Sequence, residues 1–305
     1  MGREDFVNKI YHEDCVKTMQ SLPEKSIDLI LTSPPYFNCR SYGGETVGRE
    51  MHPQDYINKI VEIMDSSSRI LKDSGSMYLN IGDVYFGTKG FSRNAGKWAR
   101  KMSDSHYKDH KTAKQDGKWL QHKQLLLIPS RVASALQDRG LVLRNSIIWE
   151  KLNPLPSFSK DRRLPCYEYV FHFVRSKKYY FDYPLAKELS HHRDVIRTAI
   201  KPFHKHPASF SESLIAPLIR TTCPVGGVVY DPFMGSGTTA CVSKKLGRSY
   251  VGSETNEEYC TLINENVENI DTIDTESVFE DMESMERQIK NAAKKAKSGE
   301  KDEKE

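Results

Sequence analysis

Two consecutive prolines follow closely on an apolar stretch near the start of the chain. Residues 27–31 read Ile-Asp-Leu-Ile-Leu, and Pro34 and Pro35 come shortly after them. A short apolar run predicts a buried strand, and the prolines end it because they lack the N–H that a sheet requires. Proline also fixes φ, so the following loop is stiff and presents the Ser33 hydroxyl and the Tyr36 ring with little conformational entropy left to lose. Such a loop is suited to holding a flat polar ring.

Strand and helix patterns alternate along most of the chain, which predicts a parallel sheet with helices on both faces. Strands are predicted at 8–11, 27–31, 76–81, 141–149, 167–174, 228–230 and 249–251. Helices are predicted at 15–22, 54–71, 125–136, 210–221 and 238–246, with Gly75 as the stop signal of the second.

Hydropathy and cysteine spacing exclude several classes of protein. Mean hydropathy is −0.61 over 305 residues, and no apolar run approaches the roughly 20 residues that a membrane helix needs. The first five residues contain acids and no apolar core, so no secretory signal is expected. The six cysteines contain no CxxC pair, which argues against a zinc site and a disulfide framework. We therefore expect a cytoplasmic protein with reduced thiols, no metal and no membrane partner.

Positive charge is concentrated in two stretches, although the net charge is only +4. Residues 86–123 hold ten basic and three acidic side chains with Trp98, Tyr107 and Trp119 among them, and residues 176–205 hold seven basic and three acidic ones. Basic residues interleaved with aromatic rings suit a nucleic-acid backbone with some base stacking, although a solvated loop would have a similar composition. The predicted DNA contacts are Arg93, Lys97, Arg100, Lys101, Lys177 and Lys178.

A glycine-containing loop lies far down the chain, between a predicted strand and a predicted helix. Residues 228–239 read Val-Val-Tyr-Asp-Pro-Phe-Met-Gly-Ser-Gly-Thr-Thr, the context of a nucleotide-binding loop. Asp231 could take up a ligand ammonium or N–H, and Glu254 could accept hydrogen bonds from ribose hydroxyls, although Glu254 could also be a surface acid. The loop is shorter than a pyrophosphate-binding GxGxxG and has no lysine, which favours S-adenosylmethionine over a dinucleotide.

These two motifs together carry a family resemblance. Residues 33–36 resemble the Ser-Pro-Pro-Tyr motif of amino-directed DNA methyltransferases, and residues 228–239 resemble the methyl-donor motif of the same family. The order, with the donor loop roughly 200 residues after the Ser-Pro-Pro-Tyr run, resembles the permuted beta group. The resemblance covers most of residues 6–270. It implies a doubly wound, mostly parallel α/β fold with seven strands, the last two antiparallel, S-adenosylmethionine as cofactor and double-stranded DNA as partner.

The resemblance also implies roles for individual residues. Ser33 and the Pro34 carbonyl would accept the two hydrogens of a base amino group, with Tyr36 stacked on the ring and Phe37 as a further wall of the base pocket. The implied catalytic residues are Ser33, Pro34, Pro35 and Tyr36. The implied cofactor-binding residues are Asp14 at the adenine, Glu254 at the ribose, Asp231, Phe233, Gly235, Gly237 and Thr238 at the methionine end, and His206, Pro207 and Ser209 nearby.

By the same resemblance, the residue at position 33 bears on the target base, and Ser33 favours cytosine. Family members with Ser there mostly methylate the 4-amino group of cytosine, whereas Asp there mostly marks adenine, so an N6-adenine enzyme is the alternative. A catalytically inactive DNA-binding subunit, and a protein or RNA methyltransferase, are less favoured because the motif is intact and the latter usually carry Asn in place of Ser33. A carbon-5 cytosine enzyme would need a thiolate after proline, and Cys166 is the only candidate.

The expected organisation is one catalytic domain, residues 1–270, followed by a charged helical tail. Within the domain, residues 86–123 form a basic insert and residues 176–205 a candidate target-recognition segment. Residues 271–305 end in a run of charges, and their apolar spacing fits either a weak coiled-coil seam or an amphipathic helix lying on the domain. A second copy of the chain and a cognate restriction endonuclease are further candidate partners of a nucleoid-associated enzyme.

Overall fold

The computed structural model describes residues 2–38, 47–87, 113–154, 156, 159–189, 192–199 and 211–270. Several predicted residues lie outside these ranges: Arg93, Lys97, Arg100, Lys101, His206, Pro207, Ser209 and the tail 271–305.

One sheet of eight strands organises the described residues, and its order is β1-β8-β7-β2-β3-β5-β4-β6. The strands are β1 (Lys9–His12), β2 (Ile27–Thr32), β3 (Leu71–Ile81), β4 (Val142–Lys151), β5 (Tyr167–Val174), β6 (Val195–Thr198), β7 (Val228–Asp231) and β8 (Ser249–Glu254). Only β5 runs antiparallel to its neighbours, β3 and β4. The predicted doubly wound, mostly parallel class is confirmed. The antiparallel pairing involves β5 with β3 and β4, whereas the last two strands along the chain, β7 and β8, are parallel. The sheet exceeds the expected seven strands because β6, in the candidate recognition segment, pairs with the edge of β4.

Seven α-helices accompany the sheet in the described ranges, none of them long and apolar enough to cross a membrane. They are α1 (Cys15–Ser21), α2 (Pro53–Ser68), α3 (Ile128–Asp138), α4 (Tyr183–Glu188), α5 (Glu212–Thr222), α6 (Thr238–Lys245) and α7 (Glu257–Glu268). Side chains of β2 show why both faces are covered. Ile30 packs into a core with α1, α2 and α3, whereas Leu29 and Leu31 pack on the other face with α5 and α6. Burial on both faces is typical of parallel strands.

Gly75 lies inside a strand and does not end a helix. Helix α2 stops at Ser68, and β3 already begins at Leu71. The register of β2 and β3 shifts between Ile27 and Leu29, so residues 72–75 bulge out. A Cβ on Gly75 would lie 2.9 Å from the Asp28 carbonyl oxygen, so the close approach of β2 requires glycine here.

The carboxyl ends of the seven parallel strands meet at one edge of the sheet, called here the carboxyl edge. Because β5 is antiparallel, its first residues, Tyr167 and Glu168, also lie at this edge. The loops after β2 and β7 leave from neighbouring strands there, since Leu29 pairs with Val229 and Ile30 with Tyr230. Open α/β sheets bind ligands at this edge.

Candidate active site

A buried carboxylate joins the two predicted motifs. The Thr32 hydroxyl, at the end of β2, donates a 2.6 Å hydrogen bond to Asp231 Oδ1 at the end of β7. The Thr239 hydroxyl donates to Asp231 Oδ2 at 2.7 Å, and the Phe233 amide donates to Oδ1 at 3.0 Å. Residues about 200 positions apart in sequence are thus held together. The loop after β2 that contains Pro34 and Pro35, called here the proline loop, therefore lies beside the donor loop after β7, which contains Gly235 and Gly237. Both lie at the carboxyl edge.

These contacts change the role expected of Asp231. The sequence suggested that its carboxylate meets a ligand, but it is 1% exposed and its hydrogen bonds go to protein groups. Burial raises the pKa of this carboxyl to about 6, against the lowering effect of the Thr32 and Thr239 hydroxyls. Asp231 therefore acts first as a link between the two loops.

The two glycines of the donor loop have different reasons to be glycine. Both have left-handed backbone, with φ of 56° at Gly235 and 87° at Gly237. A Cβ on Gly237 would lie 2.9 Å from the Ile263 side chain of α7, so this position is fixed by packing. A Cβ on Gly235 would meet nothing nearer than the Phe233 carbonyl oxygen at 3.9 Å. Space for a ligand therefore opens at Gly235.

The donor loop also contains two buried hydroxyl groups without a hydrogen-bond partner among the described residues. They belong to Ser236 and Thr238, which are 2% and 3% exposed. Buried polar groups are seldom left unpaired, and a ligand carboxylate or ammonium would satisfy such groups. Together with the first N–H groups of α6, this set fits the amino-acid end of S-adenosylmethionine. Thr238 was predicted here, whereas Ser236 was missed although it lies between the two glycines.

Glu254 and Asp14 lie at the ends of the strands beyond the donor loop. Glu254 is the last residue of β8, and its carboxylate accepts the Gly235 amide at 2.8 Å and the Asn256 amide at 2.9 Å. Burial raises its pKa. Asp14 is exposed and caps α1 by accepting the Val16 amide at 2.8 Å. Each carboxylate has further lone pairs for a ligand, so both predicted contacts stay predictions.

The proline loop presents one aromatic ring at the carboxyl edge and buries the next. The Pro35 carbonyl accepts a 2.9 Å hydrogen bond from Tyr56 of α2. Within the described ranges, no hydrogen bond reaches the Pro34 carbonyl, and its predicted role stays a prediction. Phe37 is only 3% exposed and packs on Tyr56 at a centroid distance of 5.6 Å. Phe37 therefore belongs to the core beneath the loop and not to the predicted wall of the base pocket.

A polar cluster that the sequence analysis missed surrounds Tyr36. Its hydroxyl donates to Glu168 Oε2 at 2.7 Å and lies 3.4 Å from Ser33 Oγ. Glu168 forms an ion pair with Lys151, and Asn80 Nδ2 donates to Glu168 Oε2 at 3.2 Å. Burial, then the Glu168 carboxylate, raises the pKa of Tyr36 well above its usual range. The sequence hint of this cluster was a polar residue near one terminus of each of three largely apolar strands: Asn80 in β3, Lys151 in β4 and Glu168 in β5.

Comparison with known proteins identifies the family. A family model described as DNA methylase, covering N6 and N4 enzymes, matches residues 27–265. The chain belongs to the N6/N4 DNA methylase family. The predicted family is confirmed, and the expected methyl donor agrees with it, since the family uses S-adenosylmethionine.

Three relatives extend the similarity over nearly the whole methylase. Type II methyltransferase M.XycI of Xanthomonas campestris pv. cyanopsidis is 35% identical over 85% of this chain and 87% of its own length. M.Cfr9I of Citrobacter freundii is 36% identical over 82% of this chain and 84% of its own. M.SmaI of Serratia marcescens is 35% identical over 85% of this chain and 90% of its own. All three are named type II methyltransferases.

Solved structures share the fold of the methylase. The PvuII DNA methyltransferase, named cytosine-N4-specific, superposes with a TM-score of 0.66 at 20% identity, over 90% of this chain and 92% of its own. A putative DNA modification methylase of Thermus thermophilus, solved with S-adenosyl-L-methionine, gives 0.58 at 21% identity, over 86% of this chain and 96% of its own. The α/β methyltransferase fold predicted from the sequence is confirmed.

The basic residues on either side of β5 lie at opposite edges of the sheet. Lys177 and Lys178 follow β5, whose carboxyl end lies at the edge opposite Ser33, and Lys178 lines a cleft with Asp28 and Ser74. The structure does not bring these two predicted DNA contacts to the site, because β5 runs antiparallel. Arg162, in the loop before β5, lies at the carboxyl edge and stacks on Tyr85 at 4.0 Å. The sequence analysis did not single it out.

Proposed function

We propose that this methylase transfers a methyl group from S-adenosylmethionine to the N4 amino group of cytosine in double-stranded DNA. The observation that carries the proposal is the Thr32–Asp231 hydrogen bond, which holds a Ser-Pro-Pro-Tyr loop beside a donor loop at one sheet edge. The cytosine-N4-specific name of the structurally similar PvuII enzyme and the serine at position 33 support cytosine as the target.

The chemistry of the acceptor explains why such a loop is needed. An exocyclic base amine is a poor nucleophile because its lone pair is delocalised into the ring. Ser33 Oγ and the Pro34 carbonyl would accept its two hydrogens, favouring a pyramidal nitrogen whose lone pair points at the methyl group. When bound, S-adenosylmethionine would supply that methyl group from an electrophilic sulfonium: the C–S bond would break as the N–C bond forms, the electron pair would stay on sulfur, and the amine would lose one hydrogen as a proton. In-line positioning by a rigid loop and preorganised acceptors then contribute to lowering the barrier.

The base must leave the duplex to reach this edge, at a cost of a few kcal/mol. Tyr36 supplies a ring on which the extruded base would stack. The donor-binding residues in this proposal are Glu254 at the ribose, Asp14 at the adenine, and Gly235, Ser236 and Thr238 at the amino-acid end. Phe233 and Gly237 shape the loop, and Asp231 ties it to the acceptor side. His206, Pro207 and Ser209 stay predictions for the same ligand.

An adenine N6 target is the second candidate, because the family model covers both kinds of enzyme. Incubation with duplex DNA and labelled S-adenosylmethionine, digestion to nucleosides and mass spectrometry would separate the two. We expect N4-methyldeoxycytidine. Detection of N6-methyldeoxyadenosine instead would mean that the target base is adenine. Absence of methyl transfer to every duplex tested would overturn the proposal. Sequencing of modified bases in an expressing host would then give the recognition sequence.

The type II names of the relatives support a restriction partner. We propose that the methylation protects host DNA from an endonuclease that reads the same sequence. DNA from a host expressing the chain should then resist one restriction specificity and be cut by others.

A further inference from the structure

We propose that Glu168 and its partner Lys151 are positioning residues that hold Tyr36 and fix the direction of its hydrogen bonds. The inference rests on the proposed function, since it concerns how Ser33 and Tyr36 receive the base amine. It starts from the 2.7 Å hydrogen bond that the Tyr36 hydroxyl donates to Glu168 Oε2. Glu168 comes from β5, 132 residues from Tyr36 in sequence, so no local motif contains the pair.

The Tyr36 ring is held at a second point by the end of β3. A Cβ on Gly82 would lie 2.6 Å from Cε2 of Tyr36 and 3.0 Å from Cδ2. The ring therefore packs directly on the backbone at Gly82. The Tyr36 hydroxyl is bound to Glu168, and the Cε2–Cδ2 side of the ring lies against Gly82 at the end of β3. The ring therefore has a defined orientation in which to meet a base.

Two neighbours hold the Glu168 carboxylate in place. Its side chain is 14% exposed, and Lys151, 18% exposed, pairs with its Oε1 atom. Asn80 Nδ2 donates to Oε2 at 3.2 Å and also to the Tyr169 carbonyl at 3.1 Å. A half-buried carboxylate needs such partners, because the loss of water around a charge is costly unless protein groups replace it. One oxygen thus binds Lys151 and the other is left for Tyr36 and Asn80.

The direction of the hydrogen bonds matters for the reaction. A tyrosine hydroxyl has one proton, and its nearer acceptor is Glu168 Oε2 at 2.7 Å, with Asn80 Oδ1 as a second acceptor at 3.4 Å. Ser33 Oγ, 3.4 Å from the Tyr36 oxygen, can then interact with it only by donating its own proton. The lone pairs of Ser33 remain available to accept a hydrogen from the base amine. Without an acceptor at position 168, only Asn80 Oδ1 would compete with Ser33 for the Tyr36 proton, since both lie 3.4 Å from the Tyr36 oxygen. The proton could then turn toward Ser33 and occupy those lone pairs.

Two double variants isolate the hydrogen-bond acceptor from the charge. Lys151→Met/Glu168→Gln and Lys151→Met/Glu168→Leu both remove the ion pair and have side chains of similar size, but only the glutamine can accept from Tyr36. We expect single-turnover methyl transfer to be about tenfold slower in the leucine variant, the order of one neutral hydrogen bond. The affinity for S-adenosylmethionine should be equal in both. With Tyr36→Phe added to each, the difference should disappear.

The matched control is Lys245→Met/Glu212→Gln, which removes a similarly buried ion pair between α6 and α5. Its transfer rate should equal that of the wild type. Glu168→Asp provides a second test that keeps the charge but shortens the side chain, and it should slow transfer only when Tyr36 is present. Equal rates in the glutamine and leucine variants beside a slow Tyr36→Phe would overturn this inference alone. A wild-type chain that methylates no DNA would overturn the proposed function together with it.

Discussion

At the scale of single residues, neighbouring side chains of the proline loop have different surroundings. Ser33 is partly exposed beside Tyr36, whereas Phe37, four positions later, is 3% exposed in the core. Tyr36 turns toward Glu168 and Gly82, so the loop offers a hydroxyl and one ring to the carboxyl edge. The different roles within the loop are therefore set by contacts with β3, β5 and α2.

Replacing Ser33 with Ala should slow methyl transfer while leaving donor binding nearly unchanged. The variant removes one preorganised acceptor for the base amine, and losses of such groups cost about 100-fold or more in turnover. Single-turnover rates and titration with S-adenosylmethionine measure the two effects separately. Ser74→Ala, at the opposite edge of the sheet, is the matched control and should not change the rate. Collapse of donor affinity in Ser33→Ala would mean that this loop belongs to the donor side.

Replacing Cys166 with Ser should leave methyl transfer at the wild-type rate, because amino methylation uses no thiolate nucleophile. The other described thiols are also poor nucleophiles. Burial raises the pKa to about 12 at Cys15, Cys223 and Cys241, and to about 11 at Cys260. A transfer assay on the variant, with wild type alongside, checks this. A large loss of rate would revive carbon-5 chemistry.

At the scale of secondary-structure elements, the contact between β2 and β7 joins the two halves of the site. The Asp231 carboxylate at the end of β7 binds hydroxyl groups from β2 and α6. Its folded-state pKa of about 6 exceeds the ordinary 3.8 because it is buried. The folded protein therefore holds the Asp231 proton more tightly than the unfolded chain does, and this group's contribution to stability is lost as pH rises from about 4 to about 6.

Asp231→Asn should remove this pH dependence. A pKa of about 6 in the folded protein against 3.8 in the unfolded chain corresponds to about 3 kcal/mol in the free energy of unfolding. The stability of the wild type relative to the variant should thus fall by that order from pH 4 to pH 7, measured by urea unfolding. Asp73→Asn is the control. Asp73 is exposed, and its hydrogen bond with Lys25 lowers the pKa of its carboxyl, so it does not share the trend. A constant difference across pH would contradict the assignment.

Local patterns in the sequence predicted most elements and both loops of the site. The strand before Pro34, the strand before Asp231 and the antiparallel pair β4 and β5 all lie within a few residues of their expected positions. The polar cluster of Glu168, Lys151 and Asn80 could not be predicted, because it depends on strand order. Placing β5 between β3 and β4 is what brings a carboxylate from the start of that strand to Tyr36.

Tertiary contacts also explain where the structure adds to or departs from the sequence analysis. Gly75 resembled a helix stop, but a close approach of β2 decides its role. The segment 176–205 was grouped by charge, and its described part contains α4 and the edge strand β6, while its role in target recognition stays a prediction. Asp231 was expected to face a ligand, but its carboxylate accepts a hydrogen bond from Thr32. Thr32 lies next to Asp231 because β2 and β7 pair in parallel.

At the scale of the whole molecule, the basic insert begins and ends on the side of the sheet where Ser33 lies. It follows the carboxyl end of β3, and its two ends are joined by hydrogen bonds from Phe86 N to Gln124 O at 2.8 Å and from Lys123 N to Phe86 O at 3.0 Å. Tyr85 and Leu125 form a bridge at the same point. The described ends of the insert therefore lie at the same edge as the proposed base pocket, whereas Lys177 and Lys178 lie at the opposite edge.

This arrangement makes a prediction about DNA affinity. Changing Arg93, Lys97, Arg100 and Lys101 together to Gln should weaken binding to all duplexes alike, because phosphate contacts carry no sequence information. If each cation neutralises one phosphate, the slope of log K against log salt should fall in magnitude by roughly 3 to 4. Titration of fluorescent duplexes at several salt concentrations gives both quantities. Lys177→Gln/Lys178→Gln is the matched control and should keep the wild-type affinity and slope, since those residues lie opposite the site. The reverse result would place the DNA at the other edge of the sheet, away from Ser33, where no base could reach the proposed pocket.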